Sequence, residues 1–336
     1  MLKQGTPVAT TADDRTSELW AFFRGEIVPL RDARISVMTH AFNYGTAVFE
    51  GIRAYWNAEQ GQLWALDLLA HYERLKASAR LLMMDVPYTP EQLVSRTVEI
   101  LRRDELREDV YVRPIIYKSS ETIGVRLHNL DADIVIFGVP FGQYIDTEGG
   151  IRAQVSTWRR TDDNAIPARG KITGAYVNGA LAKSEAQLNG YDEAIVLTQD
   201  GHVSEGSAEN LFMYRNGVMY TPPVTANILE GITRTTLMTL IRDELGIPVM
   251  ERNIDRTELY VCDELILCGT GAQIAPVGSV DHRQVGNGGI GEVGRAIQEL
   301  YFEVVRGNVP KYLDWCTPVY PQARRAAAET RLAVAS

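Results

Sequence analysis

Residues 190–221 constrain the fold more tightly than any other stretch. Ala194 to Thr198 reads as a strand, Gln199-Asp200-Gly201 as a turn, and another strand follows. Asn210 to Arg215 is a strand, and Asn216-Gly217 turns it back into Val218 to Thr221. Asn-Gly between two such runs is a strong hairpin signal, because a type I′ turn needs positive φ at both central residues. This part of the chain must therefore build on antiparallel neighbours.

The part before it reads differently. Leu19 to Val28 alternates and predicts a short strand pair. Asp67 is placed as the N-cap of a helix carrying Leu68, Leu69, Tyr72, Leu75, Ala79 and Leu82 at helical spacing. A second helix runs from Pro90 to about Arg103, and Val110 to Tyr117 and Ile134 to Val139 are β-rich. The Gly-containing polar stretch at 141–150 is the expected linker between a small α/β domain, 1–140, and a larger one, 151–320. In the larger domain Thr233 to Leu245 predicts a helix closed by Gly246 at C′, and Glu292 to Val305 a last helix. Residues 1–18 are polar, and the tail at 321–336 is rich in Ala and Arg. Of 336 residues the chain fits two domains, of class α+β / α/β.

Charge and cysteines exclude several functions. Lys and Arg number 34 against 43 Asp and Glu, a formal charge of −9, which argues against nucleic acid as a partner. Three cysteines without a CxxC pair make a disulfide framework or thiolate zinc site an unpromising reading and fit a reducing, cytoplasmic setting. No metal is expected. The first residues lack the apolar core of a signal peptide, and no apolar run suits a membrane span. Residues 286–291, GNGGIG, match a dinucleotide fingerprint by letter. The run before them is polar and one helix follows, so a glycine turn leading into a helix is expected instead.

Four features carry chemistry. Lys171, one of six lysines, lies between Pro167 and Gly174 in IPARGKITG, just before a helix. Taken alone it reads as a solvated loop lysine; a Schiff-base lysine also needs such a setting, held close and partly desolvated. Glu205 is flanked by small residues in SEGSAENLF, so a flat ring could approach it and have its pyridine nitrogen kept protonated. Its plainer reading is a turn glutamate. LEGITR, 229–234, starts a helix, where free amides and the Thr233 hydroxyl could bind phosphate or merely cap. Gly269-Thr270-Gly271-Ala272 could form an anion-binding nest. Arg74 could reach a phosphate from its helix.

In this order the signals resemble one family. The chain is similar to the fold type IV pyridoxal-phosphate enzymes, the class of D-amino acid aminotransferase-like folds with the cofactor between two domains, and specifically to branched-chain amino acid aminotransferases. The likeness runs from about Trp20 to Trp315, through HAFNYGTAVFEGIRAY, YERLKASA, VYVRPIIY, STWRR, IPARGKITGAYVN, GYDEAIVL, DGHVSEGSAENLF, LEGITR and CGTGAQIAPV. The resemblance implies that Lys171 carries pyridoxal 5′-phosphate as a Schiff base and moves the substrate α-proton. It gives Glu205 the ring nitrogen, Tyr176 the ring hydroxyl, and Arg74, Ile232, Thr233 and Thr270 the phosphate. Tyr111 with the Thr270 and Gly271 amides would cradle the substrate carboxylate. Tyr44, Phe49 and Tyr144 would form the apolar wall, and Arg113 would position Tyr111 and assist glutamate recognition. At Gly51 a side chain would crowd the substrate. Ile123-Gly124-Val125 would close over the neighbouring subunit's site, making a homodimer the smallest unit. The implied reaction is ping-pong transfer of the amino group from L-leucine, L-isoleucine or L-valine to 2-oxoglutarate, as in branched-chain amino acid biosynthesis.

The nearest alternatives are a D-amino acid aminotransferase, an (R)-amine transaminase and an aminodeoxychorismate lyase; Tyr111-Val112-Arg113 with Tyr44 and Phe49 weigh against them. A non-catalytic binding protein on this fold is opposed by Lys171, Glu205, Tyr176 and Arg74 together. Phe141 stands where some relatives have Trp, and Arg126-Leu127-His128-Asn129 is more polar than the corresponding family loop.

Overall fold

The computed structural model describes residues 18–142 and 150–321. The polar start, the tail beyond residue 321 and most of the 141–150 stretch, Tyr144 included, lie outside the described residues. The first part contains β1 (Trp20–Phe23), β2 (Glu26–Pro29), α1 (His40–Tyr44), β3 (Ala47–Phe49), β4 (Ile52–Asn57), β5 (Gln62–Leu66), α2 (Leu68–Leu81), α3 (Pro90–Asp104), β6 (Val110–Lys118) and β7 (Ala132–Pro140). These strands form an antiparallel sheet in the order β5-β4-β6-β7-β1-β2, with β3 also beside β6.

Strand alternation divides this sheet into two chemically different faces, because successive side chains point to opposite sides. Ile52, Ala54, Val110, Val112, Ile116, Ile134 and Ile136 turn to one face and are buried with α2 and α3. Helix α2 meets them with Leu68, Tyr72, Leu75 and Ala79, at i, i+4, i+7 and i+11. Helix α3 is started by a capping box between Thr89 and Gln92, with Pro90 in its first turn. Each fully buried aliphatic side chain contributes about 1.5–3 kcal/mol. A slip of one residue would expose the whole set, so the register is strongly specified. The other face then carries the alternate residues. Phe49 lies opposite Ile115, Arg53 opposite Tyr111, Tyr111 opposite Val139, and Arg113 opposite Phe137.

The second part supplies β8 (Ile151–Arg159), α4 (Tyr176–Leu188), β9 (Glu193–Leu197), β10 (Val203–Gly206), β11 (Asn210–Arg215), β12 (Val218–Thr221), α5 (Ile232–Asp243), β13 (Val249–Glu251), β14 (Glu264–Gly269), β15 (Gln273–Val280), β16 (Arg283–Gln284), α6 (Glu292–Val305) and β17 (Cys316–Pro318). The second sheet runs β10-β9-β8-β15-β14-β11-β12-β13, with β16 beside β15. Strand β8 is parallel to both neighbours, and β12 to β13. The hairpin at Asn216-Gly217 is present, with φ of 51° and 78°. Strand β17 returns to the first sheet and pairs with β5. Tyr55, Trp64 and Leu66 of the first sheet share a core with Leu237 and Leu240 of α5 and Ile297, Tyr301 and Val304 of α6.

Two local expectations are revised and a third holds. Asp67 precedes α2, but its side chain does not cap the helix; it is left-handed at φ 46° and accepts a hydrogen bond from Thr236 on α5 at 3.1 Å. Burial pushes the Asp67 carboxyl up to about 6, with the Thr236 bond opposing. Gly246, at φ 65°, lies two residues beyond the C-cap Glu244 rather than directly after it. The GNGGIG turn does lead into α6, and the start of that helix is already filled. Glu264 accepts from the Val293 and Gly294 amides at 3.0 and 2.7 Å, where a dinucleotide phosphate would have to sit. A Cβ on Gly291 would come within 2.1 Å of that carboxylate, so glycine is required there.

Candidate active site

The polar-bearing face of the first sheet and the loops of the second enclose a cavity of about 950 Å³. Phe49, Gly51, Tyr111, Arg113, Lys171, Tyr176, Glu205, Ile232, Thr233, Thr270 and Gly271 all line it. Residues more than 200 positions apart thus meet in one space.

Lys171 is pinned by its backbone. Its carbonyl accepts from Phe49 N at 3.0 Å, its amide donates to Ser78 Oγ at 3.2 Å, and the next residue bridges to Val48. The side chain is left to cross the cavity, where Nζ donates to Tyr176 Oη at 2.7 Å. The rings of Phe49 and Tyr176 flank the amine, their centroids 5.0 and 5.2 Å away. Tyr176 opens α4, directly after the Thr173–Ala175 turn.

Two strand irregularities deliver the carboxylate. Strand β10 gains a residue between Val203 and Glu205 relative to β9, and β8 gains two between Val155 and Arg159. Bulges re-aim side chains. Here Glu205 Oε1 meets Arg160 Nη2 at 2.7 Å, while Oε2 accepts from Asn210 Nδ2 at 3.0 Å and Leu229 N at 3.1 Å. Burial raises the Glu205 carboxyl above its ordinary value, and Arg160 opposes that shift. Nearby Glu209 is also buried, and burial with the like charge of Glu193 pushes it up to about 8.

The segment into α5 is held from both sides. Asn210 Nδ2 donates to Leu229 O at 2.9 Å, and Arg74 Nη1 to Glu230 O at 2.7 Å. Gly231 is the N-cap and supplies no side chain, so no side-chain bond covers the first turn. A Cβ there would lie 1.9 Å from Asn210 Oδ1. Arg74 does not itself line the cavity. Its fork grips buried Glu50 through Nε and Nη2, each at 2.7 Å, and His71 Nδ1 joins Glu50 at 2.7 Å. Burial favours neutral Glu50, but Arg74 and His71 outweigh it and hold this carboxyl well below the usual range. Arg74 thus stands beside an uncapped helix start, an arrangement suited to a phosphate.

On the opposite wall Arg113 Nη2 donates to Tyr111 Oη at 2.9 Å. Its Nε is buried with no hydrogen-bond partner among the described residues. A buried guanidinium donor without a partner is costly. Gly51 has a more specific role than open space for substrate: a Cβ there would lie 2.1 Å from Tyr111 Oη. Tyr44 and Val125 are not among the cavity residues. They lie together on the surface, where Gly124 N donates to Tyr44 Oη at 3.0 Å, and Val125 is 87% exposed.

An amine beside a phenol, a buried carboxylate and an uncapped helix start together suit a phosphorylated ring aldehyde. A model of the amino-transferase class IV family matches residues 47–280, most of the chain and all of this cavity. The chain belongs to the class IV aminotransferase family. A probable branched-chain-amino-acid aminotransferase of Aquifex aeolicus is 53% identical over 301 residues, covering 90% of this chain and 97% of that protein. The branched-chain aminotransferase of Thermoproteus uzoniensis, solved with norvaline, superposes with a TM-score of 0.86 at 43% identity, over 90% of this chain and 99% of the other. That of Thermobaculum terrenum, solved in its PLP form, gives 0.87 at 35% identity, over 91% and 100%.

For this class IV aminotransferase, sequence reading missed Arg160, Asn210, Glu50 and Arg53 as parts of the site. All four lie inside the motifs STWRR, SEGSAENLF and FEGIR. For Glu50 and Arg53 the available signal was a charged residue in a run that otherwise reads as buried strand; Arg160 and Asn210, at strand ends, carried no such signal. Among the described residues no helix is long and apolar enough to cross a membrane.

Proposed function

We propose that the protein is a pyridoxal-phosphate-dependent branched-chain amino acid aminotransferase, moving the amino group of L-leucine, L-isoleucine or L-valine to 2-oxoglutarate. One observation carries the reading: Lys171 Nζ, 2.7 Å from Tyr176 Oη, shares a cavity with Glu205 on one side and with Arg113 and Tyr111 on the other. The residues fit the cofactor. Lys171 would bind its aldehyde carbon, Tyr176 its ring hydroxyl and Glu205 its ring nitrogen. Arg74, Thr270 and the Ile232 and Thr233 amides would hold its phosphate. When bound, pyridoxal phosphate supplies an electron sink for charge developing at the substrate α-carbon.

The chain's own residues do the rest. Lys171 Nζ would take the substrate α-proton and deliver it across the substrate nitrogen, two atoms from the α-carbon, and its hydrogen bond to Tyr176 orients the amine. Glu205, kept in place by Arg160, Asn210 and the Leu229 amide, offers negative charge to the ring nitrogen. Tyr111 and the Thr270 and Gly271 amides receive the carboxylate common to both substrates. Phe49 and its neighbours accept an aliphatic side chain, and Arg113 accepts the second carboxylate of glutamate. The two half-reactions therefore use one cavity in turn.

The reading includes a homodimer, two domains joined at 141–150, and a cytoplasmic setting. Val37, Phe42, Ile123 and Val125 are exposed apolar side chains near one another, tied by His40 Nε2 to Gly124 O at 2.9 Å. Such a patch supports an interface. Strand β7 ends the first sheet's run at Pro140, and β8 starts the second at Ile151. Three free, buried cysteines suit a reducing compartment. The test is the cofactor absorbance of the purified protein after separate additions of L-leucine, L-glutamate, D-alanine and (R)-1-phenylethylamine. Bleaching by the first two is expected. A response to D-alanine or the amine alone would overturn the substrate class, and no band after added pyridoxal phosphate would overturn the cofactor.

A further inference from the structure

Arg53 is 2% exposed, yet no described carboxylate lies within salt-bridge distance of it. Among the described residues its guanidinium bonds only backbone carbonyls. Nε donates to Thr270 O at 3.2 Å, Nη2 to Gly271 O at 3.3 Å and Gly142 O at 3.0 Å, and Nη1 to Phe141 O at 2.9 Å. The Phe141 ring stacks on it at 4.6 Å and lies 5.2 Å from the ring of Tyr111, the residue opposite Arg53 in the strand register. Burying an arginine without an acidic partner is expensive, and the charge is placed behind the turn that lines the cavity at Thr270, Gly271 and Ala272.

We infer that Arg53 is a positioning residue for substrate carboxylate recognition. This rests on the reading of the Thr270–Gly271 turn and Tyr111 as the carboxylate cradle. The carbonyl and amide of a trans peptide point in opposite directions. Holding the Thr270 carbonyl on Arg53 therefore directs the Gly271 N–H, one of the two cradle amides, away from it, and holding the Gly271 carbonyl fixes the other side of the same residue. A cation on each carbonyl also polarises the N–H across the peptide, making it a stronger donor to an anion. Through Phe141 the same side chain supports Tyr111. The net positive charge favours a carboxylate over a neutral group of equal size.

The test compares two ligands of the holoenzyme, 4-methylpentanoate and 4-methylpentan-1-ol, which share a branched chain and differ in the charged end. In Arg53→Met, the dissociation constant of the carboxylate should rise about tenfold or more while that of the alcohol stays within about twofold. Arg53→Lys keeps a cation that cannot span four carbonyls, and should fall between; it also serves if the Met variant does not fold. KM for L-leucine and for 2-oxoglutarate should rise together, with cofactor absorbance unchanged. Equal weakening of acid and alcohol would make Arg53 a general structural staple, and no change in either would also overturn the proposal. If the wild type shows no preference for the acid over the alcohol, the cradle reading itself fails, visible before any variant is made.

Discussion

The two walls of the cavity are built by opposite means. The wall of Phe49, Gly51, Tyr111, Arg113, Phe137 and Val139 is the cavity-facing half of a regular antiparallel sheet, and its spacing follows from strand period alone. The wall of Arg160, Glu205, Asn210 and the start of α5 comes from register breaks and a pinned loop. A regular wall tolerates changes of side chain while keeping its geometry, which suits the recognition of varied substrates. An irregular wall over-determines a few atoms, which suits holding one unchanging cofactor.

The largest effect expected is at the seam. Under the proposed roles, Lys171→Ala removes the one amine that would both bind the cofactor and move the proton, so turnover should fall by at least about 10²–10⁴-fold. Stopped-flow absorbance with L-glutamate would show it, and wild-type turnover would sink the assignment. On the irregular wall, Glu205→Gln leaves Arg160 and the Leu229 amide with a neutral partner. Loss of a charge-assisted pair of this kind, about 1.5–3 kcal/mol, should slow the half-reaction about 10- to 100-fold while cofactor is retained. An unchanged rate would mean that another group serves the ring nitrogen.

On the regular wall the comparison predicts a milder and different change. Gly51→Ala should displace the Tyr111 hydroxyl and raise KM for both substrates about tenfold, with little effect on the melting temperature, because a ring edge can shift. A large stability loss would mean that this wall is as over-determined as the other. The last effect is on stability against pH and leaves the rate comparison untouched. Glu209, raised to about 8, holds a proton in the folded state that the unfolded chain releases near its ordinary value of 4.5. Native protein then binds more protons than unfolded, so stability should decline as pH rises from about 4.5 to about 8. Glu209→Gln should flatten that decline in denaturant titrations; an unaltered slope would assign it elsewhere.

Much of this was legible beforehand, and the reasons are physical. The hairpin at Asn216-Gly217 was readable because two consecutive positive-φ positions admit few residues. Helix α2 and the face of β6 were readable because burial imposes a period on neighbours in sequence. Lys171, Glu205 and the LEGITR helix start could be singled out because the motifs that carry the family resemblance are local; the structure brings them to one cavity, and their roles are proposed. Asp67 was placed at the right position before α2, but its side chain goes to Thr236, 169 positions away, instead of capping the helix. The GNGGIG turn could be dismissed from its context, but the occupant of its helix start, Glu264, could not be named from it.

Sequence by itself determined the alternation, the turns and the helix periods, since each depends on residues a few positions apart. It also carried the reactive groups, because an amine, a carboxylate and an arginine are visible as letters. Only the tertiary structure decided which of them share a space. Arg160 reaches Glu205 through two register breaks, Arg53 reaches a turn 217 residues away, and β17 closes a sheet begun near the other end. Those contacts depend on how two sheets and their loops pack, a property of the whole chain that no local period encodes.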